Sequence, residues 1–236
     1  MLKIENVKIP KEGFEAAIRG MRNPMNSWDK ADSYYTYIMD DQTLETAEFQ
    51  YFVGDSDKDL MLRLNNAPEE SKYRRMIIVY LDVVAPLYWW KEFDTYKVGT
   101  VANSCSTMHK IHEREFTLDD FSCEHLFVDN SVTVCYVHND FRIINNKQWL
   151  LFTCDLLNAM REAFLKTKDK QYWWQMIQLL PTSYNQRRTV MLNYEVLAQI
   201  YRQRKNHRLD EWHTFCDWIE TLPHFDIIRV IKDNKN

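Results

Sequence analysis

Residues 75–110, RMIIVYLDVVAPLYWWKEFDTYKVGTVANSCSTMHK, decide how this chain is read. Met76 to Val84 is a β-branched apolar run, the signature of a buried strand. The run stops at Ala85-Pro86, crosses an aromatic cluster, and then changes character. From Lys91 onward it is dense in charge, hydroxyl and amide groups: Lys91, Glu92, Asp94, Thr95, Tyr96, Lys97, Thr100, Asn103, Ser104, Ser106. A buried strand that delivers donors and acceptors in this density furnishes a ligand site at its end. A polar surface connection is the plainer reading, and a second segment turns the balance against it.

That second segment is LLPTSYNQRRTVMLNYEVLAQIYRQRKNHRLDEW, residues 179–212. Pro181 stops a helix, a polar turn follows, and a short strand around Thr189–Leu192 hands over to a helix over 194–204. Asn193 and Arg204 stand eleven residues apart, about three helical turns, so both can lie on one helix face. An Arg presented there can clamp a carbonyl pair or a phosphate through its rigid fork. The expectation is that the stretch beyond Pro86 and Arg204 meet around one nucleotide-sized hollow.

Composition narrows the function classes. The chain has 236 residues, 45% hydrophobic, 27% charged and 14% aromatic, within the range of one large globular domain. Only four residues are Gly, and neither G-x-G-x-x-G nor G-x-x-x-x-G-K-[ST] occurs, which argues against Gly-rich phosphate loops. The net charge of −4, with acids and bases interleaved, gives no basic stripe for long nucleic acid. Five cysteines (105, 123, 135, 154, 216) without C-x-x-C suggest reduced thiols. No window reaches membrane-spanning length and the N-terminus has no apolar signal core, so a soluble, cytoplasmic protein without membrane contact is expected.

Periodicity predicts an edge strand over Leu2–Ile9, a helix after Pro10 burying Phe14, Ala17, Ile18 and Met21, and a long connection over 22–50. Asp55-Ser56-Asp57 begins a helix with Leu60, Met61 and Leu64 inward. Ser106 to His125 reads as largely helical, interrupted at a capping box over Thr117–Asp120. VTVCYV (132–137) reads as a short strand or the end of an irregular insertion. Helices are predicted over 147–167, 169–180, 194–204 and 208–221, with a loose tail IKDNKN. The fold class is therefore α/β (α+β), helix-rich around a small central β-sheet, with 1–236 as a single domain.

The order of these parts resembles the flavin-dependent thymidylate synthase family. That family has an Ala-Pro-like strand end, Arg-Gln, then Arg-His-Arg-x-x-Ser-x-Asn-Glu-x-Ser-x-Arg-Tyr, and much later Leu-Pro, Tyr, Thr-Val-Asn, a helix, and Arg before His and Glu. Here Ala85-Pro86 takes the strand end, Lys91-Glu92 the Arg-Gln place, and Thr95-Tyr96-Lys97 that of Arg-His-Arg. With one inserted residue, Thr100, Asn103 and Ser106 take the Ser, Asn and later Ser places. Leu180-Pro181, Tyr184, Thr189-Val190, Asn193, Arg204, His207 and Glu211 follow in order.

Departures fall at the chemistry. Thr95 and Tyr96 replace Arg and His, Ser104 replaces Glu, Met108-His109 replaces Arg-Tyr, and Glu195 stands where an Arg follows Asn by two. The upstream flavin contacts would fall near Glu70–Met76, which match little, and Ile177 occupies the place of an Arg before Leu-Pro.

The resemblance implies a homotetramer that binds FAD, deoxyuridine monophosphate and methylene-tetrahydrofolate, and passes hydride from NADPH through the flavin to methylate uracil for dTMP biosynthesis. It implies Arg204 as the catalytic residue that polarises the pyrimidine. Lys91, Glu92, Lys97, Thr100, Asn103, Ser106 and Arg204 would bind the nucleotide, and Asn193, Tyr184 and His207 the cofactor. Each lost cation weakens phosphate binding by roughly 1.5–3 kcal/mol. Three readings stay open: a methyltransferase, a nucleotide-binding or sequestering protein on the same fold without catalysis, and a structural protein with Trp-rich faces.

Other patterns carry less. His109-x-x-His112-Glu113 and Cys123-x-His125 lack the companions of a metal site, and no metal is expected. Ser104-Cys105-Ser106 beside His109 lacks a strained nucleophile turn. Trp89-Trp90 and Trp173-Trp174 suit core or interface as well as ligand stacking. Arg187-Arg188 reads as a phosphate contact or an exposed cationic turn.

Overall fold

The structure is a computed structural model and describes residues 2–38, 48–65, 69–129, 134–137, 140–143 and 145–229. Strand β1 (Lys3–Lys8) leads through Pro10 into helix α1 (Lys11–Arg22). Two antiparallel strands follow, β2 (Tyr34–Ile38) and β3 (Glu48–Phe52), with Tyr35 opposite Tyr51 and Tyr37 opposite Phe49. Helix α2 (Asp55–Leu64), a 3₁₀ stretch (Ser71–Met76) and strand β4 (Ile78–Pro86) precede helix α3 (Leu87–Phe93). Then come β5 (Val101–Ser104), a single turn α4 (Thr107–Lys110), and the antiparallel pair β6 (Val134–Val137) and β7 (Asp140–Ile143). The remainder is α5 (Asn146–Thr167), α6 (Lys170–Leu179), β8 (Asn185–Asn193), α7 (Tyr194–Arg204), α8 (Asp210–Glu220) and α9 (Phe225–Ile228). The four-stranded sheet has the order β1-β4-β8-β5. The chain is thus mixed helix and sheet, as expected from sequence. Among the described residues no helix is long and apolar enough to cross a membrane.

Two compact units divide the chain, one of residues 1–3, 83–95 and 103–188, the other of 4–82, 96–102 and 189–236. In the larger second unit, α1 buries Phe14, Ala17, Ile18 and Met21, the predicted face. Helix α7 buries Tyr194, Leu197 and Ile200, and α8 buries Trp212, Phe215 and Ile219. One carboxylate organises the connection between α1 and α2. Asp57, fully buried, pairs with Arg22 Nε at 2.6 Å. Its other oxygen accepts from the backbone N–H of Asp32 and Ser33 and from the Ser33 hydroxyl, at 3.1, 3.0 and 2.6 Å. Asp32 in turn accepts from the N–H groups of Ser56 and Asp57 at 2.8 and 3.0 Å, satisfying orphan donors of α2. Burial raises the Asp32 carboxyl, but those two backbone N–H groups outweigh it and hold the group below its usual range. Gly54 makes room for it: a Cβ there would lie 2.2 Å from Asp32 Cγ.

The first unit has its own apolar cluster, in which Leu150, Cys154 and Leu157 of α5 meet Met176 of α6 and Ile111, Phe116 and Phe121 of the preceding segment. That segment differs from expectation: 106–125 is helical only at α4 and in a 3₁₀ turn at Leu118–Asp120. The reason is visible at Phe116, whose N–H and C=O are both taken by the Asn158 carboxamide, at 2.8 and 2.9 Å. The Arg161 guanidinium likewise donates to the His112 carbonyl at 3.0 Å. Side chains of α5 satisfy this backbone, so it needs no helix. The capping box at Thr117 and Asp120 is present as read.

The 22–50 segment, expected as a connection, holds β2 and β3. Aromatic residues line both faces of this pair, Tyr34 against Phe52 and Tyr35 stacked on Phe49 at 4.7 Å. Alternation of apolar and polar residues is therefore missing from the sequence. Of VTVCYV, Val134–Val137 form β6; its first two residues and the tail IKDNKN lie outside the described residues.

Replacing Arg22 by Met leaves the Asp57 carboxylate buried without its cation. We expect a loss of about 3–5 kcal/mol in urea unfolding, with part regained in the R22M/D57N double variant. A wild-type urea midpoint for R22M would refute the assigned role of this pair.

Candidate functional site

The described residues that best fit a ligand site lie along α7 in the second unit. Strand β8 ends at Asn193, whose extended backbone leaves the strand and whose side-chain oxygen accepts the Val196 N–H at 3.1 Å. This is an N-cap, and it fixes where α7 begins. The Asn193 amide nitrogen faces Gly99, where an added Cβ would lie 2.9 Å away and where φ is +82°. Both the space and the left-handed backbone call for glycine at that point. Loop 96–100 is thereby drawn against the start of α7.

The other end of α7 holds the same loop. Tyr96, buried, accepts a hydrogen bond from Arg204 Nε at 2.9 Å and donates to Gln203 Oε1 at 2.9 Å. The Arg204 guanidinium lies 4.9 Å from the Trp212 ring centroid and 5.7 Å from that of Tyr96. Trp212 and Tyr96 meet edge to face at 6.1 Å. His207, in the turn after α7, accepts the Leu209 N–H on Nδ1 at 3.2 Å and turns its ring to Trp212 at 6.3 Å. A neutral imidazole so engaged carries its hydrogen on Nε2. A cleft of about 440 Å³ opens beside His207, lined also by Lys205, Asn206, His213, Cys216, Asp217 and Glu220.

Between these anchors, Lys97 is exposed. Thr100 Oγ1 is shut from solvent and meets no hydrogen-bond partner among the described residues. A buried hydroxyl in that state is costly and suits a loop that receives a ligand group. The second unit thus gathers Lys97, Thr100, Asn193, Arg204 and His207 of the residues singled out by sequence. Tyr96 and Trp212, which the sequence reading did not select, join them.

The remaining candidates belong to the first unit. Lys91 and Glu92 lie on α3 rather than in a loop; Pro86 stands at its N-cap and Lys91 is exposed. Asn103 is exposed on β5, and the Ser106 hydroxyl caps α4 by accepting the His109 N–H at 3.0 Å. That contact is made by the His109 backbone and not by its imidazole. Tyr184 packs edge-on against Phe121 and Phe116 at 5.7 and 6.4 Å, and burial raises its hydroxyl above the ordinary tyrosine range.

Trp89 and Trp90 are wholly buried, clustered with Phe93 at 5.1 and 5.3 Å, and serve the core. Arg188 is engaged inward: it pairs with Asp94 at 2.7 Å and lies 4.2 Å over the Trp90 ring. Of the two readings of Arg187-Arg188, the exposed cationic turn does not describe Arg188. Among the described residues no group of three or more His, Cys, Asp or Glu side chains is arranged to hold a metal.

No family model and no curated protein matches this sequence. Solved structures do match. A flavin-dependent thymidylate synthase, ThyX from Helicobacter pylori complexed with FAD and dUMP, has a TM-score of 0.65 at 13% identity, covering 98% of this chain and 100% of its own. A second structure of ThyX from that organism, also with FAD and dUMP, has a TM-score of 0.62 at 13% identity, over 97% of this chain and 100% of its own. A UMP/dUMP methylase, PolB from Streptomyces cacaoi bound with 5-Br dUMP, has a TM-score of 0.57 at 14% identity, over 94% of this chain and 89% of its own. Likeness at these identities is likeness of fold.

Removing the cap tests how firmly α7 is set. We expect Asn193→Ala to cost about 1 kcal/mol in chemical denaturation, and Asn193→Asp to recover most of it. Equal midpoints for N193A and the wild type would show that α7 does not depend on this cap.

Proposed function

We propose that this chain, which has the fold of the flavin-dependent thymidylate synthases, binds a pyrimidine deoxynucleotide resembling dUMP together with FAD, and methylates the uracil ring reductively. The observation that carries the reading is the Arg204 guanidinium, held by the Tyr96 hydroxyl against the Trp212 face at one end of a loop that also bears Lys97 and the partnerless Thr100 hydroxyl. A fixed fork of donors of this kind suits the carbonyl edge of a uracil ring, where it stabilises charge that develops on the pyrimidine. Lys97 supplies a cation for the phosphate, and Thr100 a hydroxyl for the sugar or phosphate. Asn193 and His207 are the residues of this unit that would meet the flavin.

FAD, when bound, would relay hydride from NADPH, and methylene-tetrahydrofolate would supply the carbon. The chain's own part is to bind, orient and exclude water, since this chemistry requires no protein nucleophile. The orphaned Thr100 hydroxyl and the close backbone at Gly99 fit a loop that accepts a large polar ligand.

A second reading keeps the nucleotide and drops the catalysis. It is favoured by Tyr96, which turns inward to Arg204 and Gln203 in the place the family resemblance gives to a cationic Arg-His-Arg run. Turnover separates the two. Tritium release from position 5 of labelled dUMP, given FAD, NADPH and methylene-tetrahydrofolate, is expected for the enzyme and absent for the binding protein. For either reading, dUMP should raise the melting temperature, and Arg204→Ala should weaken its binding roughly ten- to hundredfold. Protein that takes up no FAD and shows no thermal shift with dUMP refutes both.

We further propose a homotetramer acting in the cytoplasm, with 1–236 working as one domain. Helix α5 supports the assembly: Trp149, Phe152 and Leu156 recur at helical spacing, and Trp149 and Phe152 keep 55% and 54% of their surface exposed. A second copy of the chain is the occupant this stripe suits. Phe152→Asp is expected to yield a smaller species in sedimentation velocity than the wild type. An identical sedimentation coefficient would rule α5 out as the contact.

A further inference from the structure

Tyr96 is the buried residue at the start of the 96–100 loop, and its hydroxyl works in two directions. An arginine in a protein is always a donor, so the phenol oxygen must accept from Arg204 Nε (2.9 Å). Its one hydrogen therefore goes to Gln203 Oε1, also at 2.9 Å. This ordering leaves the phenol a single orientation and anchors the guanidinium in its own plane. The Trp212 ring, 4.9 Å from the guanidinium carbon, restrains the same group from its face. Trp212 has no exposure and is braced by Phe215 at 6.0 Å, so the restraint is rigid. Two restraints from different directions fix a side chain that otherwise samples many rotamers.

All the groups involved belong to the chain itself. We infer that Tyr96 is a positioning residue for Arg204, and that it readies this arginine for a pyrimidine nucleotide before any flavin is bound. The inference rests on the nucleotide reading of the same site. Tyr96 does not touch the ligand; it acts through Arg204. Nucleotide and flavin then bind without a required order, because neither has to assemble the arginine for the other.

The test is a titration of dUMP into flavin-stripped protein by calorimetry, for the wild type, Tyr96→Phe, Arg204→Ala and the double variant. Phe keeps the ring against Trp212 and removes only the hydroxyl. We expect measurable binding to the wild type, about tenfold weaker binding to Y96F, equivalent to about 1.4 kcal/mol, and still weaker binding to R204A. In the R204A background, Y96F should then change nothing, which a merely structural tyrosine would not produce. Wild-type affinity in Y96F, or losses that add in the double variant, overturns the inference and leaves the nucleotide reading standing. Binding that appears only after FAD is added overturns it too. Wild-type affinity in R204A sinks the nucleotide reading itself.

Should Y96F fail to fold, the wild type supplies a second measurement. The Arg204 Nε–H resonance, identified by its loss in Arg204→Lys, is expected to exchange slowly with water. Exchange as fast as that of exposed arginines such as Arg19 overturns the inference.

Discussion

A single carboxamide, that of Asn193, sets the geometry on which the candidate site depends. Its oxygen starts α7 by taking the Val196 N–H, and its nitrogen occupies the space that a side chain at Gly99 would need. Starting the helix at this residue determines, three turns later, where Arg204 emerges, because an α-helix advances by about 1.5 Å per residue with little freedom. The loop that passes there reaches Arg204 at its other end, through Tyr96. Helix and loop are thus joined at both ends, and the arginine's place follows from backbone geometry more than from its own flexibility. A Cβ at Gly99 would collide with the Asn193 amide, so the two positions are constrained together.

Much of this was legible in the sequence, for reasons that can be named. The Asn193–Arg204 register was readable because Thr189–Leu192 opens with two β-branched residues and continues apolar, and the next eleven residues bear no breaker. Likewise α1 and α8 show their buried faces as plain helical periodicity, whereas α5 is apolar on an exposed face as well, with Trp149, Phe152 and Leu156 outside and Leu150, Cys154 and Leu157 inside. The β2–β3 pair was not legible, since aromatic side chains on both faces erase the two-residue alternation. Neither was the irregular course of 106–125, whose backbone is satisfied by Asn158 and Arg161 from far along the chain. Such side chain to backbone bonds leave no local trace. Tyr96 was seen as a departure from a motif, but its bond to Arg204 is tertiary and no spacing rule foretells it.

Several charged residues of this chain pair with one another inside the fold. Glu195 stands where the family pattern has an arginine, and here it pairs with Arg74 of the 3₁₀ stretch at 2.6 Å. Arg74 also donates to the Ile227 carbonyl at 3.2 Å, tying α7 to the turn of α9. Arg188 is likewise engaged, by Asp94 and Trp90. Arg74 and Arg188 of this chain thus serve internal order. The Arg74 side chain is buried in its pair and is screened little by salt, whereas Asp94 and Lys97 are exposed and are screened more.

Gly54 has an evolutionary corollary. Its hydrogen borders the carboxylate of Asp32, which in turn caps α2. Any larger residue at 54 must displace both that carboxylate and the Asp32 carbonyl oxygen, which would lie 2.5 Å from the added Cβ, so a shorter side chain at 32 does not by itself admit one. Homologues that share this turn should then keep glycine at 54 whatever side chain stands at 32, a constraint that arises from exclusion of volume by the main chain and not from attraction.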